Sequence, residues 1–135
     1  MLGKFKTKDR LHLSDALVDD LCPLCSACNE TLQHLFFECP FSIRCLKDLT
    51  DWTGVRFKAI GVMDFRKFKL SKLQQRVMCA IYASTVYSIW QARNDAVWNH
   101  VVRLLSSLVR SIQQEIRLRL TVLQLDKVPH CSKFF

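Results

Sequence analysis

Four residues near the N-terminus have the types and spacing to hold a metal ion. Cys22, Cys25, His34 and Cys39 read as C-x2-C-x8-H-x4-C. Three thiolates and one imidazole satisfy a tetrahedral zinc. The four are therefore assigned to one structural Zn2+. The protein fills all four positions and leaves none for a water or substrate, which argues against a zinc enzyme. Three thiolates around a divalent cation leave the centre with a single net negative charge, so the centre itself does not attract phosphate.

Cys28 complicates the ligand count, because it extends the run to C-x2-C-x2-C. Cys25 and Cys28 are the alternative early pair. Cys22 and Cys25 are preferred because Pro23-Leu24 makes the usual bridge between knuckle ligands, and Pro23 fixes one φ angle. Cys28 is then a spectator thiol at the edge of the site. A C-x2-C pair also suits a redox dithiol. That chemistry asks for a thioredoxin-like βαβ context, which this sequence does not offer.

The setting of the cluster follows from composition. Seven cysteines are an odd number, and the basic N-terminus MLGKFKTKDR is not followed by an apolar run. The expectation is a reducing intracellular compartment, where clustered cysteines mean metal rather than disulfides. Cys45, Cys79 and Cys131 stand apart and are expected as buried or free thiols. A chain of 135 residues, half of them hydrophobic, is one domain or a small module with a helical extension. The apolar stretches are interrupted by Arg, Gln or Ser, so no membrane span is expected.

The elements that must position the ligands read as helices. Thr7 is expected to cap a short helix through Asp9, Arg10 and Leu11. His12 is expected to be isolated and exposed. A helix is expected from Asn29 to Glu38, capped by Asn29 or Thr31 and returning His34 to the thiols. Phe36 and Phe37 suit base stacking, but a module this small needs a core, and at least one of them is expected under the metal. Pro40 fits the first position of a new helix and Gly54 its stop. Phe41, Ile43, Leu46, Leu49 and Trp52 recur at helical spacing as its apolar stripe.

The second half is expected to be a helical hairpin. Ser71-Lys72-Leu73-Gln74 is a capping-box pattern. It starts a helix to about Asn99, with Leu73, Val77, Ala80, Ile81, Tyr87, Trp90, Asn94, Val97 and Trp98 on its apolar side. A second helix is expected from Val101 to Gln124. Val101, Leu105, Leu108, Ile112, Ile116 and Leu123 form its stripe. The expected fold is mainly α: a small Cys3His zinc knuckle with short helices, followed by a long antiparallel helical hairpin. The boundaries are 1–60 for the zinc-binding module, 61–70 for a linker, 71–125 for the hairpin and 126–135 for a tail.

The net charge of +8 lies wholly in the second half. Residues 1–60 carry eight basic and eight acidic side chains, whereas residues 61–135 carry twelve basic and four acidic. Arg66, Lys67 and Lys69 interleave with Phe65 and Phe68, a mixture able to track a nucleic-acid backbone. Arg103, Arg110 and Arg117 recur every seven residues and share one helix face that suits phosphates. A solvated helix face with scattered arginine is the commoner meaning of such a row.

Several blocks together resemble a known family. They are Thr7-Lys8-Asp9-Arg10-Leu11, Cys22-Pro23-Leu24-Cys25, Glu30-Thr31 and His34-Leu35-Phe36-Phe37-Glu38-Cys39-Pro40-Phe41. They resemble the zinc-binding domain found downstream of plant non-LTR retrotransposon reverse transcriptases. Ile89-Trp90-Gln91-Ala92-Arg93-Asn94, with Val97 and Trp98, resembles the helix that follows it there, and Trp90, Arg93 and Asn94 read as helix-packing residues. The resemblance implies a zinc module of a retroelement polyprotein that helps bind template or element RNA. Only six residues precede Thr7, where relatives carry a tryptophan-bearing helix, and no polymerase Asp-Asp pair is present. The expectation is a detached or truncated copy, non-catalytic, with RNA or DNA and other parts of a retroelement polyprotein as partners. The alternatives are a structural protein–protein module and a decayed remnant without a selected role.

Overall fold

The computed structural model describes residues 5–11, 19–54 and 72–122. Among them the helices in order are α1 (Lys8–Leu11), α2 (Pro40–Thr53), α3 (Lys72–Trp98) and α4 (Leu105–Val122). A π turn, His34–Glu38, precedes α2. The fold is mainly helical, with a Cys/His cluster ahead of the long helices. Among the described residues the only extended pairing is a single antiparallel bridge, Leu21 to Asn29.

The expected helix over 29–38 is shorter and widens as it goes: residues 32–33 are α-helical and His34–Glu38 are a π turn. Thr31 Oγ1 accepts the His34 N–H at 2.9 Å, which caps the turn as expected. The Cys39 N–H then reaches past Leu35 to the His34 carbonyl at 2.7 Å, the spacing of a π turn. That step leaves the Leu35 carbonyl without its usual donor, and Pro40, next in line, has no N–H to offer. The buried Ser42 hydroxyl fills the gap, donating to Leu35 O at 2.6 Å.

Helix α2 starts with Pro40 in its first turn and stops at Gly54, whose φ of 68° is the left-handed conformation glycine adopts freely. Its inward face differs from the expected stripe. Ser42, Cys45, Leu49 and Thr53 are buried, Phe41, Leu46 and Trp52 are half-buried, and Ile43 is exposed. Small side chains on that face suit a helix that packs on both the π turn and α4.

Helix α3 begins at Lys72, where the capping pattern predicts; Ser71 itself lies outside the described residues. It is buried on more than one side, by Val77, Met78, Ile81, Val86, Ile89 and Ala92 with Ser84, Thr85, Ser88 and Arg93. Tyr87 and Trp98, expected on the apolar side, are exposed. Ser84, Thr85, Ser88 and Ala92 share the buried surface with the larger residues, because α3 meets α4 along one side and the N-terminal residues along another.

Helix α4 begins at Leu105, not at Val101. Asp95 sets the difference. Its carbonyl accepts the N–H groups of Asn99 at 2.9 Å and Val101 at 3.3 Å, and its carboxylate meets Arg103 Nε at 2.6 Å. His100, with φ 54°, turns the chain there. Val101 and Arg103 therefore belong to the connection and not to a helix face. Leu108, Ile112 and Ile116 are buried, as their spacing predicts. Leu123, the linker 61–70 and the tail 126–135 lie outside the described residues. Cys22, Leu24, Leu35, Phe36, Cys39, Ile89, Leu108 and Ile112 belong to one buried cluster, so the described parts of the N-terminal module and the hairpin share a core.

Candidate metal centre

The two early thiols are presented by a hairpin-like turn. Cys22 N–H donates to Cys28 O at 2.7 Å, Ser26 N–H to Cys22 O at 2.8 Å, and Glu30 N–H to Asp20 O at 2.8 Å. Ser26 takes a φ of 53°, a left-handed position that closes the turn around the sulfurs. The π turn supplies His34, and Cys39 sits at the entrance of α2.

The turn, the π turn and the helix entrance bring four ligand atoms within 4.8 Å of one another: those of Cys22, Cys25, His34 and Cys39. Cys22 Sγ and Cys39 Sγ are 3.9 Å apart, and Cys25 Sγ is 3.3 Å from His34 Nε2. Zinc bonds of about 2.3 Å to sulfur and 2.0–2.1 Å to nitrogen require tetrahedral edges of about 3.8 Å (S···S) and 3.5 Å (S···N). The donor set and its spacing fit one structural zinc. Cys22 and Cys39 are fully buried and His34 nearly so, while Cys25 faces outward in part.

The electrostatics prepare one thiolate. Cys39 lies below the ordinary thiol pKa, chiefly through its hydrogen bond with Cys22, with the backbone N–H groups of Ser42 and Phe41 also favouring the anion. Cys22 is pushed up, first by that same hydrogen bond, in which it keeps the proton, and then by burial. The N–H groups of Leu24 and Cys25 pull the other way. Four backbone donors thus face two sulfurs, and they would stabilise the charge of both thiolates once zinc displaces the shared proton.

Cys28 is exposed and lends only its carbonyl to the turn. Cys45 is fully buried in α2, and burial, then Asp48, pushes its thiol up to about 12. Cys79 is exposed on α3. In zinc-loaded folded protein, iodoacetamide at about pH 8 should therefore alkylate Cys28 and Cys79 rapidly and spare Cys45 and the four ligands. Peptide mapping by mass spectrometry checks this. Early labelling of Cys25 with protection of Cys28 would reverse the roles given to those two residues.

A second buried constellation escaped the sequence reading. Glu30 receives Arg93 Nε at 2.6 Å and Nη2 at 2.8 Å, a bidentate pair almost completely out of solvent. The same carboxylate accepts the Lys8 N–H at 2.9 Å, so Glu30 caps α1. Thr7, the expected cap, is buried, and its hydroxyl has no partner among the described residues. Lys8 Nζ donates to the carbonyls of Asp19 and Leu21, at 2.6 and 2.8 Å. Trp90 lies between Phe5 and the Arg93 guanidinium, and Phe5 reaches Phe36 under the metal site. Phe36 is core, as weighed from sequence, and Phe37 is half-buried. Trp90 packs as read, while Arg93 does more: it neutralises the acid that closes the knuckle. Sequence separation hid this pair; its only trace was that both residues fall in the blocks quoted above.

Of the basic residues nominated for nucleic acid, Arg103, Arg110 and Arg117 are among the described residues. Arg66, Lys67 and Lys69 lie outside the described residues, as does His12. Arg103 is paired with Asp95 in the connection. Arg110 and Arg117 are exposed on α4, with the Arg117 guanidinium 5.5 Å from the Trp52 ring centroid. No helix among the described residues is long and apolar enough to cross a membrane.

No curated protein and no solved structure matches the chain. A family match falls on the part of the chain that holds all four ligands. Residues 1–45 match the family described as zinc-binding in reverse transcriptase, and the Cys22, Cys25, His34, Cys39 cluster gives that match its chemistry.

Proposed function

We propose that the chain is a non-catalytic zinc module of a non-LTR retrotransposon reverse transcriptase polyprotein, and that it assists binding of RNA or DNA. The observation that carries the reading is the four-ligand cluster inside the stretch matched by the reverse-transcriptase zinc-binding family. Zinc acts as the brace: it joins the early turn, the π turn and the start of α2, whose packing then supports α4. The metal centre carries net negative charge, so nucleic acid is met by the basic residues beyond residue 60.

The test is fluorescence anisotropy of zinc-loaded full-length protein with labelled single-stranded RNA and with duplex DNA, over a salt series. Affinity should fall linearly in log K against log salt between about 50 and 200 mM. Absence of binding to either at the lowest salt would remove the nucleic-acid part of the reading.

One observation favours a second reading, a protein–protein module. Trp98, Val101, Val102 and Leu104 are large, apolar and 54–76% exposed around a single chain reversal. Salt-insensitive self-association in sedimentation velocity, without a shift of RNA, selects that reading.

A further inference from the structure

The exposed cations divide sharply by whether a carboxylate already holds them. Arg103 is paired with Asp95, Arg119 with Glu115 and Lys47 with Asp51. Among the described residues, the exposed lysines and arginines without such a partner are Lys6, Arg44, Arg110 and Arg117. Two of these four lie on α4, seven residues apart and so on one face.

Two polar residues on that face, Ser107 and Gln114, are phosphate-binding types, and the exposed Leu118 borders it. Ser107, Arg110, Gln114 and Arg117 follow at spacings of three, four and three, and all are exposed. They form one stripe about 15 Å long, opposite the buried Leu108, Ile112 and Ile116. Hydroxyl, amide and guanidinium donors are the groups that contact phosphate and sugar, which position a strand without reading its sequence. The stripe has no aromatic side chain for bases to stack on. The one acid of α4, Glu115, is held by Arg119 at 2.6 Å. Arg117 is also held in place, because its guanidinium lies over Trp52 of α2.

From this charge complementarity we infer that the outer face of α4 is a contact for a nucleic-acid backbone, made by Ser107, Arg110, Gln114 and Arg117 and blind to base sequence. The inference rests on the nucleic-acid reading above and locates it. Arg103, the third member of the heptad row, is not part of the contact: it sits in the connection and is spent on Asp95.

The experiment uses full-length zinc-loaded protein and a labelled single-stranded RNA of mixed sequence, titrated over a salt series. Two single-strand phosphate contacts contribute about 1.4 to the slope of log K against log salt. R110Q/R117Q should lower the slope by that amount, whereas K47Q, which removes one paired charge from α2, should leave it unchanged. Gln114→Glu keeps both arginines but sets a carboxylate between them, and it should weaken binding in the same direction. Circular dichroism melting curves check that each variant keeps its helices. A wild-type slope in R110Q/R117Q, with RNA still bound, overturns the inference and leaves the nucleic-acid reading standing. A wild-type protein that binds no RNA overturns both. Displacement of the RNA by an Asp/Glu-rich peptide at equal charge concentration overturns nucleic acid as the occupant of this face.

Discussion

Replacing Cys39 with alanine is expected to release the zinc and unfold the N-terminal part of the chain. Cys39 does two jobs from one fully buried position: its sulfur closes the ligand set, and its backbone opens α2. Structural zinc in small domains carries an apparent binding free energy of about 10–16 kcal/mol at neutral pH. A whole domain is stable by only about 5–15 kcal/mol. Loss of the metal is therefore as large as everything else that holds the fold. His34→Ala should behave alike, since it removes the one nitrogen ligand and the anchor of the π turn. Cys28→Ala should do neither. Metal analysis of purified protein should find about one zinc per chain for wild type and Cys28→Ala, and none for the other two. Circular dichroism should show reduced helix in the metal-free variants. Equal zinc in wild type and His34→Ala would remove His34 from the site, and loss of zinc in Cys28→Ala would make Cys25 and Cys28 the early pair.

Arg93→Met is expected to be the costliest change outside the metal site. It removes a guanidinium that gives Glu30 two short hydrogen bonds, and among the described residues it leaves the buried carboxylate with only the Lys8 N–H as donor. Breaking one side of a buried pair costs about 3–5 kcal/mol, because the remaining charge has no water and no partner. Urea unfolding of the zinc-loaded protein, followed by tryptophan fluorescence and circular dichroism together, measures the loss. Zinc content should not change, because no ligand is touched. The double variant Glu30→Gln/Arg93→Met should recover much of the stability, since it removes both charges. A loss below about 1 kcal/mol in Arg93→Met would mean that the pair behaves as a solvated surface bridge.

These two expectations also divide what was legible in the sequence from what was not. The ligand set was legible because metal coordination constrains residue type and spacing together, and all four ligands lie within one short stretch. Pro40 and Gly54 marked the ends of α2 for reasons local to the backbone. Leu108, Ile112 and Ile116 marked the inner face of α4 by periodicity alone. The π turn was not legible: its widening is a choice of acceptor by one N–H, and it leaves the residue pattern untouched. The inner face of α2 was hidden because Ser42, Cys45 and Thr53 are small and partly polar, and hydrophobicity points instead to Phe41, Ile43 and Trp52. The start of α4 was misplaced because Asp95 sets it from the preceding helix.

Glu30 and Arg93 are 63 residues apart, and that distance bears on the order in which the protein assembles. Cys22 and Cys39 are only 17 apart, so the metal loop closes at small entropic cost while the rest of the chain is still being made. Glu30 leaves the ribosome in that same early stretch, and its partner follows only when most of α3 has been synthesised. Until then its carboxylate keeps its water, and the knuckle can hold zinc without docking. Arrival of Arg93 permits dehydration of the acid, and only then can α1, the knuckle and α3 lock. A nascent chain stalled before residue 93 is thus expected to be metal-competent yet loosely packed, with its apolar underside open to chaperones. Folding would finish later still, once α4, which follows Arg93 in the chain, has been made and packs on α2 and α3.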